Sequence, residues 1–373
     1  MMIPRFLVAA LCVLGPLTCV AHGGNINGEA TYISFSVPGA LGTYPMGINA
    51  SMTVTGYYYV TPTVTRGFLR DADGTITTFD ILGGVWTEPE SINAAGDITG
   101  YYEVVPGTPH GFLRYADGRT ITFDPPDAPG VPGPQSQPVS INEFDEIAGN
   151  YLHPLPASDG FTRSRAGVFT TIGFGDGADY KTVVTGLNAN GTVVGYGASV
   201  NDLFSFISDP DGFSNLFVLP MEEGQFDGTQ DTVAESINGD GVIAGWYSLC
   251  IDPCATTSAG GFVRSPQGVF TLFNPPGTLV TLPGSGPASR SETLSAPHRL
   301  SINQAGDITG SYTDAAGVQH GFVRNPYGTI TSFDPPEGNQ TTTTSINDGG
   351  AIAGFYHYHA GGGPPVGFIR VPQ

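Results

Sequence analysis

The stretch SINAAGDITGYYEVVPGTPHGFLRYADGRTITFDPP, residues 91–126, is the unit from which this chain is built. It reads as four short strands: one closing on Ser91-Ile92, one over 97–103, one over 111–115 and one over 120–123. Asn93-Ala-Ala-Gly96 and Tyr115-Ala-Asp-Gly118 supply the turns, where Gly takes the positive φ that a short hairpin requires. A four-stranded meander of this size cannot bury its own faces, so copies have to stack.

The copies are marked by the Ile/Leu-Asn that ends each first strand, at Asn49, Asn93, Asn142, Asn188, Asn238, Asn303 and Asn347, with spacings of 44, 49, 46, 50, 65 and 44. Seven copies with a period in the forties predict an all-β fold, a seven-bladed β-propeller of four-stranded antiparallel blades. The last copy runs through Ser345-Ile-Asn and Gly367-Phe-Ile-Arg370 and lacks a fourth strand. Tyr32-Ile-Ser-Phe-Ser-Val-Pro-Gly39 resembles the fourth strand Thr329-Ile-Thr-Ser-Phe-Asp-Pro-Pro336. The N-terminal strand is therefore expected to complete the last blade and close the ring, leaving no open edge there. Gly47, Ser91, Ser140, Gly186, Ser236, Ser301 and Ser345 precede the Ile/Leu; small side chains suit a point where sheets converge, and the later aromatics suit the wider gaps outside. The Asn188 copy is the most worn, its 204–212 half reading as having lost the Gly-Phe pair.

Bulk properties narrow the function. The 373 residues suit one large all-β body, and 40% hydrophobic content with 22 Phe and 16 Tyr packs a core despite 54 Gly and 31 Pro. A net charge of −20 with no basic run repels nucleic acid and anionic lipid and makes both poor partners, so neither is expected. Residues 1–21 read as a secretory signal, with Arg5, an apolar run over 6–17 and the small-x-small site Cys19-Val20-Ala21. That leaves a single domain over 22–373, expected to be secreted to the periplasm or exterior, without a membrane span and monomeric. Lipidation at Cys19 is the alternative, with Leu17-Thr18 a poor approach to it. Cys250 and Cys254, four apart in an exported chain, are expected to form a local disulfide.

The pattern SIN-x-x-G-x-I-x-G-x-Y, then His-Gly-Phe-Leu/Val-Arg and Phe-Asp-Pro-Pro, resembles the bacterial extracellular HAF-repeat proteins over about residues 30–370. Gly stands at the centre of the His-Ala-Phe triplet here, and the His is kept at His110 and His320. The resemblance implies export and a repeat fold, and brings no activity with it.

Chemistry-bearing residues recur in pairs. Arg66/Asp80, His110/Asp124 and His320/Asp334 fall nearly opposite one another on adjacent strands, given one bulge residue. Where the first member is not a cation, as in Asp159/Gly173, Phe204/Val218, Gly260/Asn274 and Val366/Ser36, the Asp is gone. An acid present only opposite a cation is a structural pair, because a catalytic dyad would not accept Arg for His. His357 and His359 share a strand face and are the weak metal candidates. Asp71-Ala-Asp73-Gly74 and Asn238-Gly-Asp240-Gly241 lack the ligand pattern of a calcium loop and read as turns. No nucleophile elbow, phosphate loop or dinucleotide fingerprint occurs, and no cofactor is expected.

Insertions fall between second and third strands and between blades, at 125–139, 250–260, 274–299 and 357–365, all on one end of a meander ring. That end is the candidate face. Tyr57-Tyr58, Tyr101-Tyr102, Tyr151, Trp246-Tyr247, Tyr312 and Tyr356 end second strands there, and alternation makes one of each adjacent pair core and the other freer. The candidate ligand-binding residues are Tyr102, Trp246, Tyr247, Arg290, Glu292, His298, Arg299, Tyr312 and Tyr356, centred on the sector between the Asn238 and Asn303 blades. Three functions compete: binding of an extracellular glycan or protein, a hydrolase or lyase at the channel mouth, and a structural envelope or matrix role. Convergent carboxylates at the mouth with water excluded favour the enzyme, an aromatic floor favours binding, and a uniformly polar rim favours the third.

Overall fold

The computed structural model describes residues 30–126, 135–152, 158–173, 181–198, 203–212, 214–220, 230–251, 256–278, 281–283, 298–358 and 363–373. The regular elements among them are all β-strands, paired in sequential antiparallel groups of four, with the short strand Thr281–Pro283 added beside Thr256–Arg264. In the Asn93 repeat these are Trp86–Ile92, Ile98–Glu103, Pro109–Arg114 and Thr120–Phe123, each paired with the next. The same order recurs around Asn49, Asn142, Asn188, Asn238 and Asn303. In the Asn347 repeat, Gly338–Ile346, Ile352–Tyr358 and Val366–Val371 are joined by Thr31–Phe35 from the other end of the chain, with Thr31 opposite Val371 and Phe35 opposite Gly367. This arrangement fits a β-propeller.

Three motif positions tie repeats to their neighbours, the Asn at every joint, the Arg at six and the Ser at three. The Asn side chain works in both directions. Its Nδ2 donates to the main-chain oxygen of the next Asn: Asn49 to Asn93 and Asn93 to Asn142 at 3.2 Å, Asn142 to Asn188 at 3.1 Å, Asn188 to Asn238 at 3.0 Å. Asn238 to Asn303 at 3.2 Å, Asn303 to Asn347 at 3.1 Å and Asn347 to Asn49 at 2.8 Å continue the series. Meanwhile Oδ1 accepts from the following turn, as in Asp97 N to Asn93 at 2.9 Å. All seven Asn are buried, and only an amide offers both the donor and the acceptor.

The Ser before the Ile accepts the amide N–H of the next repeat's Ile: Ile141 to Ser91 at 3.3 Å, Ile302 to Ser236 at 3.2 Å and Ile346 to Ser301 at 3.4 Å. The Arg closing each third strand lies over the fourth-strand Phe of the preceding repeat. Arg70 over Phe35 (5.1 Å), Arg114 over Phe79 (4.8 Å), Arg163 over Phe123 (4.8 Å), Arg264 over Phe217 (4.7 Å), Arg324 over Phe273 (5.3 Å) and Arg370 over Phe333 (4.9 Å) form this set. Each such contact contributes about 1 kcal/mol. The Asn188 repeat breaks the pattern, with Ser208 in place of the Arg and Ile172 in place of the Phe.

The core is one fully buried Phe per third strand: Phe68, Phe112, Phe161, Phe206, Phe262, Phe322 and Phe368. The worn copy thus keeps its Phe, as Phe206, and of the Gly-Phe pair has lost the Gly alone, replaced by Ser205. That Gly is needed elsewhere because a fourth-strand ring covers it: a Cβ on Gly111 would sit 2.5 Å from Phe123.

Candidate functional site

Each first strand carries a register shift against its second strand, between Pro89 and Ser91 in the Asn93 repeat and at the matching positions elsewhere. A bulge turns its extra side chain out of the pleat. The residues so displaced include Met46, Glu90, Val139, Thr185, Glu235 and Thr344, and the shift in the Asn303 repeat spans Arg299 and Leu300. The Thr185 and Glu235 side chains reach the next repeat's first strand. Thr185 Oγ1 donates to the Ala234 carbonyl at 2.8 Å, and Leu300 N–H donates to Glu235 Oε2 at 2.5 Å.

These positions gather a mixed cluster at the axis. Glu235 also accepts from the Arg299 N–H and the Trp246 indole. Glu88 accepts from the Tyr101 hydroxyl at 2.5 Å and from Thr65 Oγ1 at 3.5 Å. Glu90 has no hydrogen-bond partner among the described residues. Arg299 acts electrostatically on Glu90, Glu235 and Tyr57, which belong to three other repeats. Arg299 is exposed and sits at φ +55°, a left-handed conformation imposed by its bulge.

Aromatic rings face the same space. Tyr57, Tyr101, Tyr196, Trp246 and Phe355 share one register, each following a second-strand Gly, and all are half-buried. Tyr44 stacks on Tyr57 (4.9 Å between centroids, 12° between planes) and meets Tyr59 and Phe355 edge-on at 5.6 and 5.0 Å.

The cluster perturbs its own carboxyls. Burial, then the charge of Glu88, pushes Glu90 up to about 8 against the opposing pull of Arg299. Burial pushes Glu235 up to about 7, with the main-chain donors Leu300 and Arg299 holding it back. Glu88 is also raised by burial, partly offset by the Tyr101 hydroxyl. Tyr101 is raised by burial and by Glu88, so its proton stays on and donates. The site therefore offers ring faces, hydroxyl donors, and carboxyls that change protonation near neutrality.

The sequence-predicted residues divide. Tyr102, Tyr247, Tyr312 and Tyr356 are 6%, 5%, 3% and 1% exposed and pack in the core between repeats. They are not ligand platforms: the pleat turns them away from the axis, and the preceding residue, Tyr101 or Trp246, takes the open side. Trp246 and Arg299 join the axial cluster. His298 begins the strand His298–Ile302, its backbone opposite Ser311. Arg290, Glu292, Cys254, His359 and the signal segment 1–21 lie outside the described residues; Cys250 pairs through its backbone with Thr257, and half-buried His357 with Asn339. Among the described residues no group of three His, Cys, Asp or Glu could hold a metal, and no helix is long and apolar enough to cross a membrane.

The cation–acid pairs stand at 3.6 Å for Arg66–Asp80 and 2.7 Å for both His110–Asp124 and His320–Asp334. No bulge intervenes, since Gly111 faces Phe123 directly and the turn is centred on Asp117 rather than Gly118. Ser136 Oγ donates to Asp124 and Thr341 Oγ1 to Asp334, so each hydroxyl meets the acid and not the imidazole. A nucleophilic triad needs the reverse order. Burial disfavours the His320 cation, but Asp334 and then Asp314 outweigh it and raise its pKa.

Sequence reasoning missed Glu88, Glu90, Glu235 and Tyr44. The available signal was the Glu-Pro-Glu-Ser-Ile-Asn run over 88–93 and the Glu before Ser236-Ile-Asn, charges in an otherwise charge-poor position.

No family model matches the chain, and no curated protein matches it. Solved structures do. A Pyrococcus horikoshii acylaminoacyl peptidase is 7% identical with a TM-score of 0.52, over 89% of this chain and 52% of that one. A structure from a study of two prolyl endopeptidases is 12% identical with a TM-score of 0.51, over 92% and 47%. The chain thus spans about half the length of these two peptidase structures. The BP39L lectin from Burkholderia pseudomallei is 10% identical with a TM-score of 0.45, over 93% and 99%. At such identities the likeness concerns the fold alone.

Proposed function

We propose that this chain is an exported, seven-bladed propeller, closed by its N-terminal strand, that binds an extracellular glycan at the axial mouth on its variable-loop face. The count and closure are supported by the Asn series, which returns from Asn347 to Asn49, and by the pairing of Thr31–Phe35 with Val366–Val371. The observation that carries the binding reading is the ring of half-buried aromatics beside Glu88 and Glu90. Ring faces stack on the C–H faces of sugars, while carboxyls and Tyr hydroxyls meet the sugar hydroxyls. Export rests on the Arg5–Ala21 pattern and the HAF-repeat resemblance.

One observation favours a hydrolase as the second reading: Glu90 and Glu235, at about 8 and about 7, carry protons near neutrality, as a general acid must. Against it, Glu88 and Glu235 are engaged by Tyr101, the main chain and Trp246, which leaves Glu90 without a second unengaged carboxylate among the described residues of the cluster. A glycan array on the mature protein, followed by product analysis of each bound glycan, separates the two. Bound glycans recovered intact support binding, and shortened products support the hydrolase.

A further inference from the structure

The broken Arg–Phe contact leaves a cleft between the Asn142 and Asn188 repeats. At the other turns the Arg fills the space. A Cβ on Gly74, Gly118, Gly167, Gly268 or Gly328 would lie 3.3–3.6 Å from that Arg's terminal nitrogen, whereas one on Gly212 would meet nothing within 4 Å. In five repeats the guanidinium also donates to the next residue's carbonyl, as Arg70 does to Asp71 and Arg324 to Asn325, both at 3.1 Å. Among the described residues no guanidinium reaches the matching carbonyl of Asp209. The volume left is about 270 Å³, and both replaced residues, Ser208 and Ile172, line it. Glu146 and Asp209 line it too, Glu146 Oε2 accepting from Asn142 Nδ2 at 2.8 Å and Asp209 Oδ1 from Thr192 Oγ1 at 3.2 Å. Arg163, also on its wall, has its guanidinium over Phe123.

We propose that this cleft is a docking site for an arginine side chain presented by a protein partner. The chain itself shows what the space accommodates, since its own Arg occupies the equivalent place at the neighbouring joints. The two carboxylates supply charge where the chain has removed its cation, and a guanidinium there regains the donor role toward Asp209. Exposed Val168 at the cleft wall gives the flanking residues of a partner an apolar contact. The site shares no residue with the axial cluster, so either reading can fail alone.

The test is titration calorimetry of the full mature chain with a blocked Gly-Arg-Gly peptide, its citrulline counterpart, which keeps the shape and removes the charge, and free L-arginine. The arginine peptide is expected to bind, with citrulline at least about tenfold weaker and free arginine no tighter than the peptide. Ser208→Arg should fill the cleft, raise Tm and abolish binding. Should that variant not fold, Glu146→Gln and Asp209→Asn are each expected to weaken binding about threefold or more. No binding by the parent, equal binding of citrulline, binding of free arginine but not the peptide, or undiminished binding by the folded variants would overturn the proposal.

Discussion

Glu90 is a half-buried carboxyl that lacks a hydrogen-bond partner among the described residues, and replacing it by Gln should stabilise the protein in a pH-dependent way. Its pKa is about 8 in the folded chain against an ordinary 4.5. A group whose folded pKa is raised in this sense carries no penalty below pH 4.5. The penalty grows as the pH rises from 4.5 to 8 and is complete above that. Full burial would make it about 5 kcal/mol; because part of the side chain is open to solvent, about 2 kcal/mol is the realistic plateau. For a domain of this size that corresponds to a Tm difference of about 2–5 °C. Thermal unfolding of the parent and Glu90→Gln, followed by far-UV circular dichroism at pH 4, 6, 8 and 9, reads it directly. The gap should be near zero at pH 4 and reach its plateau by pH 8–9, with the variant the more stable. A gap independent of pH, or a variant less stable at pH 8, would refute the reasoning.

Asn93→Ala removes the donor to Asn142 and the acceptor for Asp97; the loss should be about 3 kcal/mol in denaturant unfolding, and a change under about 0.5 kcal/mol would deny the Asn its role between repeats. His320→Phe should cost stability mainly at low pH. The raised His320 pKa means its contribution is complete below 6.5 and lost as the pH climbs through the folded value, so a gap that widens with pH contradicts the pairing. Deleting residues 30–39 uncovers the edge of Val366–Val371 and should cost several kcal/mol and promote aggregation; a monomeric deletion variant with unchanged Tm would sink the closed ring.

Much of the fold was legible because the repeat exposes its own constraints. Asn, never Asp, ends each first strand, and the structure shows why: the side chain must donate to one repeat while accepting in its own turn. The split of the last copy across the two termini could be read because Tyr32–Gly39 keeps the spacing of a fourth strand. The site was harder. Alternation on a strand tells which of Tyr101 and Tyr102 is core only if the register is known, and the bulge in each first strand shifts it by one. That same bulge turns Glu90 and Glu235 inward, from positions that simple alternation assigns to a blade face. The Ser208 and Ile172 exchange was visible in sequence, but its meaning required knowing that the Arg of one repeat rests on the Phe of the repeat before it.

The most direct measurement is affinity for an array-selected glycan in the parent and in Tyr57→Ala, whose ring belongs to the axial stack. The parent should bind at least one glycan, and the variant should lose about tenfold or more in affinity while keeping its far-UV spectrum. A parent that binds no glycan, or a folded Tyr57→Ala that binds as tightly as the parent, would contradict an axial glycan site.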